Sequence, residues 1–145
     1  MKLTSNNFQQ QEDIPNKFTC DDDDVSPHLS WDEFPEETKS FALTCIDPDA
    51  PGGGFIHWLM ANIPVESTVF NENCDCPPEA DEIKNDFGMN EYGGPCPPSG
   101  KHRYIFTIYA LSIERLEGLN KDNFFETIKG YTLDSAELVG VYKRS

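Results

Sequence analysis

Basic residues are scarce in this chain. Its 145 residues carry 11 Lys and Arg against 26 Asp and Glu, a formal net charge of −15. No basic stripe offsets that balance. Phosphate contacts on duplex nucleic acid need clustered Lys and Arg, so a nucleic-acid role is excluded. The same charge keeps the chain away from anionic membrane surfaces. An anionic ligand would have to be held by local donors rather than by the overall field.

Long apolar runs are also missing. A membrane span takes about 20 apolar residues, and no segment approaches that, so stable membrane insertion is not expected. Met1 to Asn7 turns polar at once and lacks an apolar signal segment, which predicts a cytoplasmic protein. No two cysteines stand in a Cys-x-x-Cys pair among Cys20, Cys45, Cys74, Cys76 and Cys96, so a zinc ribbon is not indicated. A chain of this length does not require a disulfide framework. Cys45 lies in an apolar strand and reads as core. Cys74-Asp75-Cys76 reads as part of a solvated polar loop, with redox sensitivity as the alternative. Asp21 to Asp24 lacks the glycine and closing glutamate of a calcium loop and reads as a solvated acidic turn. No Gly-x-Ser-x-Gly elbow and no phosphate loop with Lys and Ser or Thr is present.

What the chain does have is enough apolar content, 37% with 12% aromatic, to bury a core. One domain over residues 1–145 is expected, with no repeat and no linker. Phe41 to Asp47, Phe55 to Ile63, His102 to Leu111 and Leu138 to Tyr142 read as strands, and Lys17 to Cys20 as a shorter one. Pro77 to Asn85 suggests a helical turn. A helix is predicted from a cap at Asn120 to Lys129 and Gly130, with Phe124, Phe125 and Ile128 on its packed side. A further turn is suggested at Leu133 to Ala136. The fold class is mainly β: an antiparallel, sandwich-like core with one or two peripheral C-terminal helices.

The strand faces point to a site. Period-two alternation puts Phe41, Leu43, Cys45 and Asp47 on one side, and His102, Tyr104, Phe106, Ile108 and Ala110 on one side. It likewise groups Phe55, His57, Leu59, Ala61 and Ile63. If the first two strands pair antiparallel, Asp47 and His57 share a sheet edge, and His102 and Tyr104 can reach it. The loops there are stiff: Pro48 and Pro51 flank Asp49, and Ala50-Pro51 is a candidate cis bond. Gly93, Gly94 and Gly100 allow close backbone approach, and Pro95, Pro97 and Pro98 prevent collapse. Backbone N–H groups near Gly94 are candidate anion donors. Each side chain alone also suits a structural duty, such as Asp47 closing a turn, His57 paired with Asp47, or Tyr104 filling core. Together they describe a small pocket.

At these residues the chain resembles the phosphatidylethanolamine-binding, or Raf-kinase-inhibitor-like, family. Asp47-Pro48-Asp49-Ala50-Pro51 matches its first signature. His57-Trp58 has the form of the short bacterial and archaeal branch. Gly94-Pro95-Cys96-Pro97-Pro98 followed by His102-Arg103-Tyr104 matches the second signature. Ile14 to Cys20, Ser26-Pro27 with Trp31, Asn85-Asp86-Phe87-Gly88 and Ala136 to Gly140 extend the likeness along nearly the whole chain. Asp22 stands where a glycine is usual, His28 replaces a proline, and the Pro98 to His102 segment is short. The resemblance implies a β-sandwich and an anion pocket built from Asp47, His57, Gly94, Pro95, His102 and Tyr104, with Asp49 and Pro51 in support. It further implies a non-enzymatic protein that binds phosphate-like or carboxylate ligands, phospholipid headgroups among them, and that can regulate a kinase or protease partner. No cofactor or metal is called for. The alternative is a hydrolase using the same residues by acid–base chemistry, or with a metal on His57, His102 and Asp47 or Asp49.

Overall fold

The computed structural model describes residues 1–144. Eight strands and one helix follow in the order β1 (Lys2–Thr4), β2 (Leu29–Asp32), β3 (Ser40–Asp47), β4 (Phe55–Pro64), β5 (Val69–Phe70), β6 (Asp81–Ile83), β7 (His102–Leu111), α1 (Phe124–Lys129) and β8 (Thr132–Tyr142). They form a three-stranded sheet, β1-β2-β5, and a five-stranded sheet, β6-β4-β3-β7-β8. Every strand pair is antiparallel. The fold is a mainly β sandwich, as the alternation predicts.

Two apolar layers hold it together. Leu29, Trp31 and Phe70 from the small sheet pack with Phe41, Leu43, Cys45, Phe106 and Ile108 from the large one. Trp31 meets Phe41 and Phe70 edge-on, with ring centroids 5.7 and 5.1 Å apart, the geometry aromatic quadrupoles favour. On the opposite face of the large sheet, Phe124 and Ile128 of α1 pack over Ala42, Leu59, Ala61 and Leu111. β3 is buried along almost its whole length because it is central and covered on both faces.

The stripe expected along β4 is broken twice. The β3–β4 register shifts between Cys45 and Ile46, and again between Phe41 and Leu43. An inserted residue in one strand turns the side chains beyond it to the other face. His57 sits at the first shift. Asn62, with a positive φ of 58°, sits at the second. Trp58, Met60 and Ile63 therefore join the inter-sheet core, and Leu59 and Ala61 face α1.

Other expectations are corrected. Asn16–Phe18 is a 3-10 turn, not a strand, following Pro15 and burying only Phe18. Pro77 to Asn85 holds no helix; Asp81–Ile83 is an edge strand on β4. Leu133 to Ala136 belongs to β8, where exposed and half-buried residues alternate. The helix begins at Phe124 rather than at Asn120. Asn120 instead closes the preceding turn, its Oδ1 accepting from the N–H groups of Asp122 and Asn123. No peptide bond among the described residues is cis, Ala50-Pro51 included. Cys20 and Cys96 form a disulfide, and Cys45 is a buried free thiol. Cys74 and Cys76 are half-buried against the main core rather than solvated.

Candidate functional site

Three chain segments meet at one end of the large sheet. β3 exits at Asp47, which lies opposite Phe55 at the entrance of β4. β7 enters on the other side of β3 with His102 as its first residue. The inserted residue in β4 falls at His57. All of these ends carry polar groups on otherwise apolar strands.

His102 ties the strands together. Its Nδ1 lies 2.7 Å from Asp47 Oδ2, and its Nε2 lies 3.1 Å from the Ser99 carbonyl oxygen. Both ring nitrogens thus face an oxygen acceptor. The pair is nearly sequestered, with side-chain exposures of 9% and 4%. Asp47 also accepts from the N–H of Asp49, 2.8 Å away, which fixes the turn that leaves β3.

His57 is in a different state. Its Nδ1 lies 2.7 Å from the Gly93 carbonyl oxygen, so Nδ1 carries a proton. Burial pushes its pKa below the ordinary histidine value, against the opposing pull of the Gly93 carbonyl and the Asp47 charge. The neutral ring then has Nε2 as an acceptor. Tyr104 stands nearly perpendicular to it, with centroids 5.2 Å apart. The Tyr104 hydroxyl is buried and makes no well-formed hydrogen bond, with the Asp47 carboxylate nearby as an acceptor. Burial, and then the Asp47 charge, holds the phenol well above its usual range. It is a neutral donor.

These groups surround a cavity of about 170 Å³ lined by Asp47, Ala50, Pro51, Phe55, His57, Phe87, Cys96, Pro97, Pro98, His102 and Tyr104. Drug-sized ligands take roughly 300–1,000 Å³, so this space suits a phosphoryl or carboxylate group with a short substituent. A larger groove of about 930 Å³ lies at the other end of the strands, lined by Lys39, Asn62, Glu66, Glu79, Glu114 and Arg115 among others. It holds no buried unpartnered polar atom, whereas the smaller cavity holds one.

Of the eight residues expected at the site, Asp47, Pro51, His57, His102 and Tyr104 line the cavity. Asp49 lies outside the lining and clips β3 to β7 by bonding Arg103 through its backbone N–H, its Nε and its guanidinium NH2, at 3.0, 2.9 and 2.9 Å. That contact holds the Asp49 carboxyl down at about 2. Gly94 and Pro95 do not line the cavity. The Gly94 N–H is committed to Asp24 Oδ1 at 2.8 Å, so it is not free for a ligand. A Cβ on Gly94 would collide with the Phe18 carbonyl and Asp24. Glycine is needed there for close approach between loops. Asp24 takes a left-handed conformation at the end of the acidic turn, with φ of 57°.

Residues outside the expected set complete the wall. Phe87 lies 4.7 Å from Phe55 and 5.2 Å from His57, centroid to centroid. Asn85 places it. The Asn85 amide donates to the carbonyls of His57 and Glu91, and its Oδ1 accepts from the N–H groups of Phe87 and Met89. The Asn85-Asp86-Phe87-Gly88 run was visible in the sequence as a motif without a role. The disulfide anchors the opposite wall at Cys96 and is reinforced by Cys20 N–H donating to the Pro95 carbonyl. No group of three or more His, Cys, Asp or Glu suited to a metal ion is found among the described residues. His57 and His102 each have Nδ1 already engaged.

Comparison with known proteins agrees with this architecture. The family model for phosphatidylethanolamine-binding protein matches residues 4–143, and the chain belongs to that family. A UPF0098 protein of Methanothermobacter thermautotrophicus is 42% identical, covering 99% of both chains. A UPF0098 protein of Aquifex aeolicus is 43% identical over 99% of this chain and 89% of its own. Among solved structures, E. coli YbcL, described as a new member of the mammalian PEBP family, superposes with a TM-score of 0.93 at 32% identity, covering 99% of this chain and 98% of its own. The PEBP homolog CT736 from Chlamydia trachomatis gives 0.91 at 35% identity, covering 99% and 97%.

Proposed function

We propose that the cavity beside Tyr104 binds a small phosphoryl- or carboxylate-bearing ligand, and that the protein acts by binding rather than by turnover. One observation carries the reading: the buried Tyr104 hydroxyl without a partner. Leaving such a group unsatisfied costs about 1–3 kcal/mol, and a ligand oxygen at the cavity would remove that cost. The His102 ring engages the Asp47 carboxylate, which alone would repel an anion. Phe55, Phe87, Pro97 and Pro98 give the ligand's substituent an apolar surround. A phospholipid headgroup, the ligand in the family's name, has this combination of phosphoryl and short substituent. The half-exposed Phe87 on the cavity wall favours a protein partner that reads the occupied pocket, a kinase or protease being the class the family resemblance suggests.

Isotope-labelled protein titrated with O-phosphoethanolamine, and separately with acetate, tests the reading. Saturable shifts confined to His57, His102, Tyr104 and the 93–98 loop are expected. Shifts absent at these positions, or spread evenly over the surface, would overturn it.

A further inference from the structure

A second cluster lies outside this site. Cys74 and Cys76 are free thiols, with Sγ atoms 2.8 Å apart. That is nearer to the about 2.05 Å of a disulfide than non-bonded sulfurs normally come. Both line a separate cavity of about 160 Å³ with Ser26, Asn73, Glu82 and Glu91. The turn is fixed from both sides. Asn73 holds a left-handed φ of 54°, and the Cys74 N–H donates to Ser26 Oγ at 2.9 Å. Residues two apart on trans peptides have Cα atoms within about 7 Å, inside or near the span a disulfide bridges. Both residues are half-buried, so the sulfurs are reachable without being loose.

We propose that Cys74 and Cys76 form a thiol–disulfide exchange site that accepts the disulfides of low-molecular-weight thiols. The two roles differ. Cys76 keeps its proton: its bond to Cys74, burial and the nearby Glu82 all hold its thiol up. The Cys76 Sγ–H also faces the Cys74 carbonyl oxygen, 3.9 Å away, which leaves Cys74 as the attacking sulfur and Cys76 as the one that resolves. Cys74 loses its proton to solvent, and the thiolate attacks one sulfur of R–S–S–R. The Cys74–S–S–R bond forms and RS⁻ leaves, taking up a proton. Cys76 next loses its proton and attacks Cys74 Sγ, displacing the second RS⁻. The protein dithiol is oxidised by two electrons and the small disulfide is reduced to two thiols. A ring closed over one intervening residue is strained, and strained disulfides are the readily reduced, exchanging kind.

The full chain is exposed to oxidised glutathione, alkylated and mapped by mass spectrometry. The peptide carrying residues 74–76 should lose two hydrogens, with two equivalents of glutathione released. Cys76→Ser should stop at a glutathione adduct on Cys74. Cys74→Ser should form no internal bridge and release glutathione only at the buffer rate. A double Cys20→Ala, Cys96→Ala variant should still exchange, which separates the site from the structural disulfide. Cys74 and Cys76 remaining fully alkylatable in folded protein after this treatment would overturn the proposal. An adduct forming on Cys76 in Cys74→Ser as fast as on Cys74 in Cys76→Ser would overturn the division of roles.

Discussion

His102 Nδ1 stands 2.7 Å from Asp47 Oδ2, joining residues 55 apart in sequence at the end of two neighbouring strands. The contact orients the imidazole, occupies the carboxylate and closes one side of the cavity.

Removing one member of this pair should be costly. Asp47→Ala leaves the buried His102 Nδ1 without its partner, and leaving a buried polar group unsatisfied costs about 1–3 kcal/mol. Urea unfolding measures the loss. A change smaller than about 1 kcal/mol would mean that the pair is solvated as surface pairs are.

Tyr104→Phe should have opposite effects on stability and binding. The ligand-free protein should gain stability or stay unchanged, because an unsatisfied buried hydroxyl is removed. Affinity for O-phosphoethanolamine should fall. A residue with a purely structural hydroxyl would show the reverse, losing stability and keeping any affinity.

Acid should weaken the fold through His57. Its folded pKa lies below the unfolded value of 6.5, so the unfolded state takes up protons first as pH falls. The contribution is complete above about 6.5 and is lost on acidification toward the folded pKa. Urea midpoints across this range should slope less in His57→Gln than in wild type. Parallel slopes would mean that His57 keeps its solution pKa.

Asp49 acts lower on the pH scale. Its carboxyl is lowered from 3.8 to about 2 by Arg103. Its stabilisation is present above the unfolded value and lost as pH falls toward about 2. Arg103→Gln should shrink that acid transition, the backbone N–H at 103 still holding Asp49, and should lose a correspondingly small part of the stability at neutral pH, small because the pair is partly solvent-screened.

The Cys20–Cys96 bridge closes a span of 76 residues and ends on the cavity wall. The Cys20→Ala, Cys96→Ala variant should lose about 2–4 kcal/mol, by urea unfolding, and bind ligand more weakly as the 95–98 wall loosens. Intact affinity after mild reduction would show that the wall is held by its hydrogen bonds alone.

Strong period-two strands were legible in the sequence. β3 and β7 match their expected faces because both are interior strands that pair with each other without a register shift. β4 was legible as an element but not as a face, since an inserted residue leaves no mark in hydrophobic pattern. Short edge strands such as β6 bury a single apolar side chain, Ile83, which gives too little periodicity to read. At the site, Asp47, His57, His102 and Tyr104 were legible because polar residues ending apolar strands are conspicuous. The Gly94 N–H was read as a candidate donor, and the acceptor that engages it, Asp24, lies 70 residues away, beyond the reach of local pattern. Phe87 and the disulfide wall depend on loops brought in by Asn85 and Cys20, and tertiary packing alone reveals them.

Calorimetric titration of O-phosphoethanolamine into wild type and Tyr104→Phe, at matched pH and ionic strength, is the most direct test. A saturable single-site isotherm in wild type, markedly weakened in the variant, is the result expected. Equal binding in both proteins, or none in wild type, would contradict the assignment of this cavity as the ligand site.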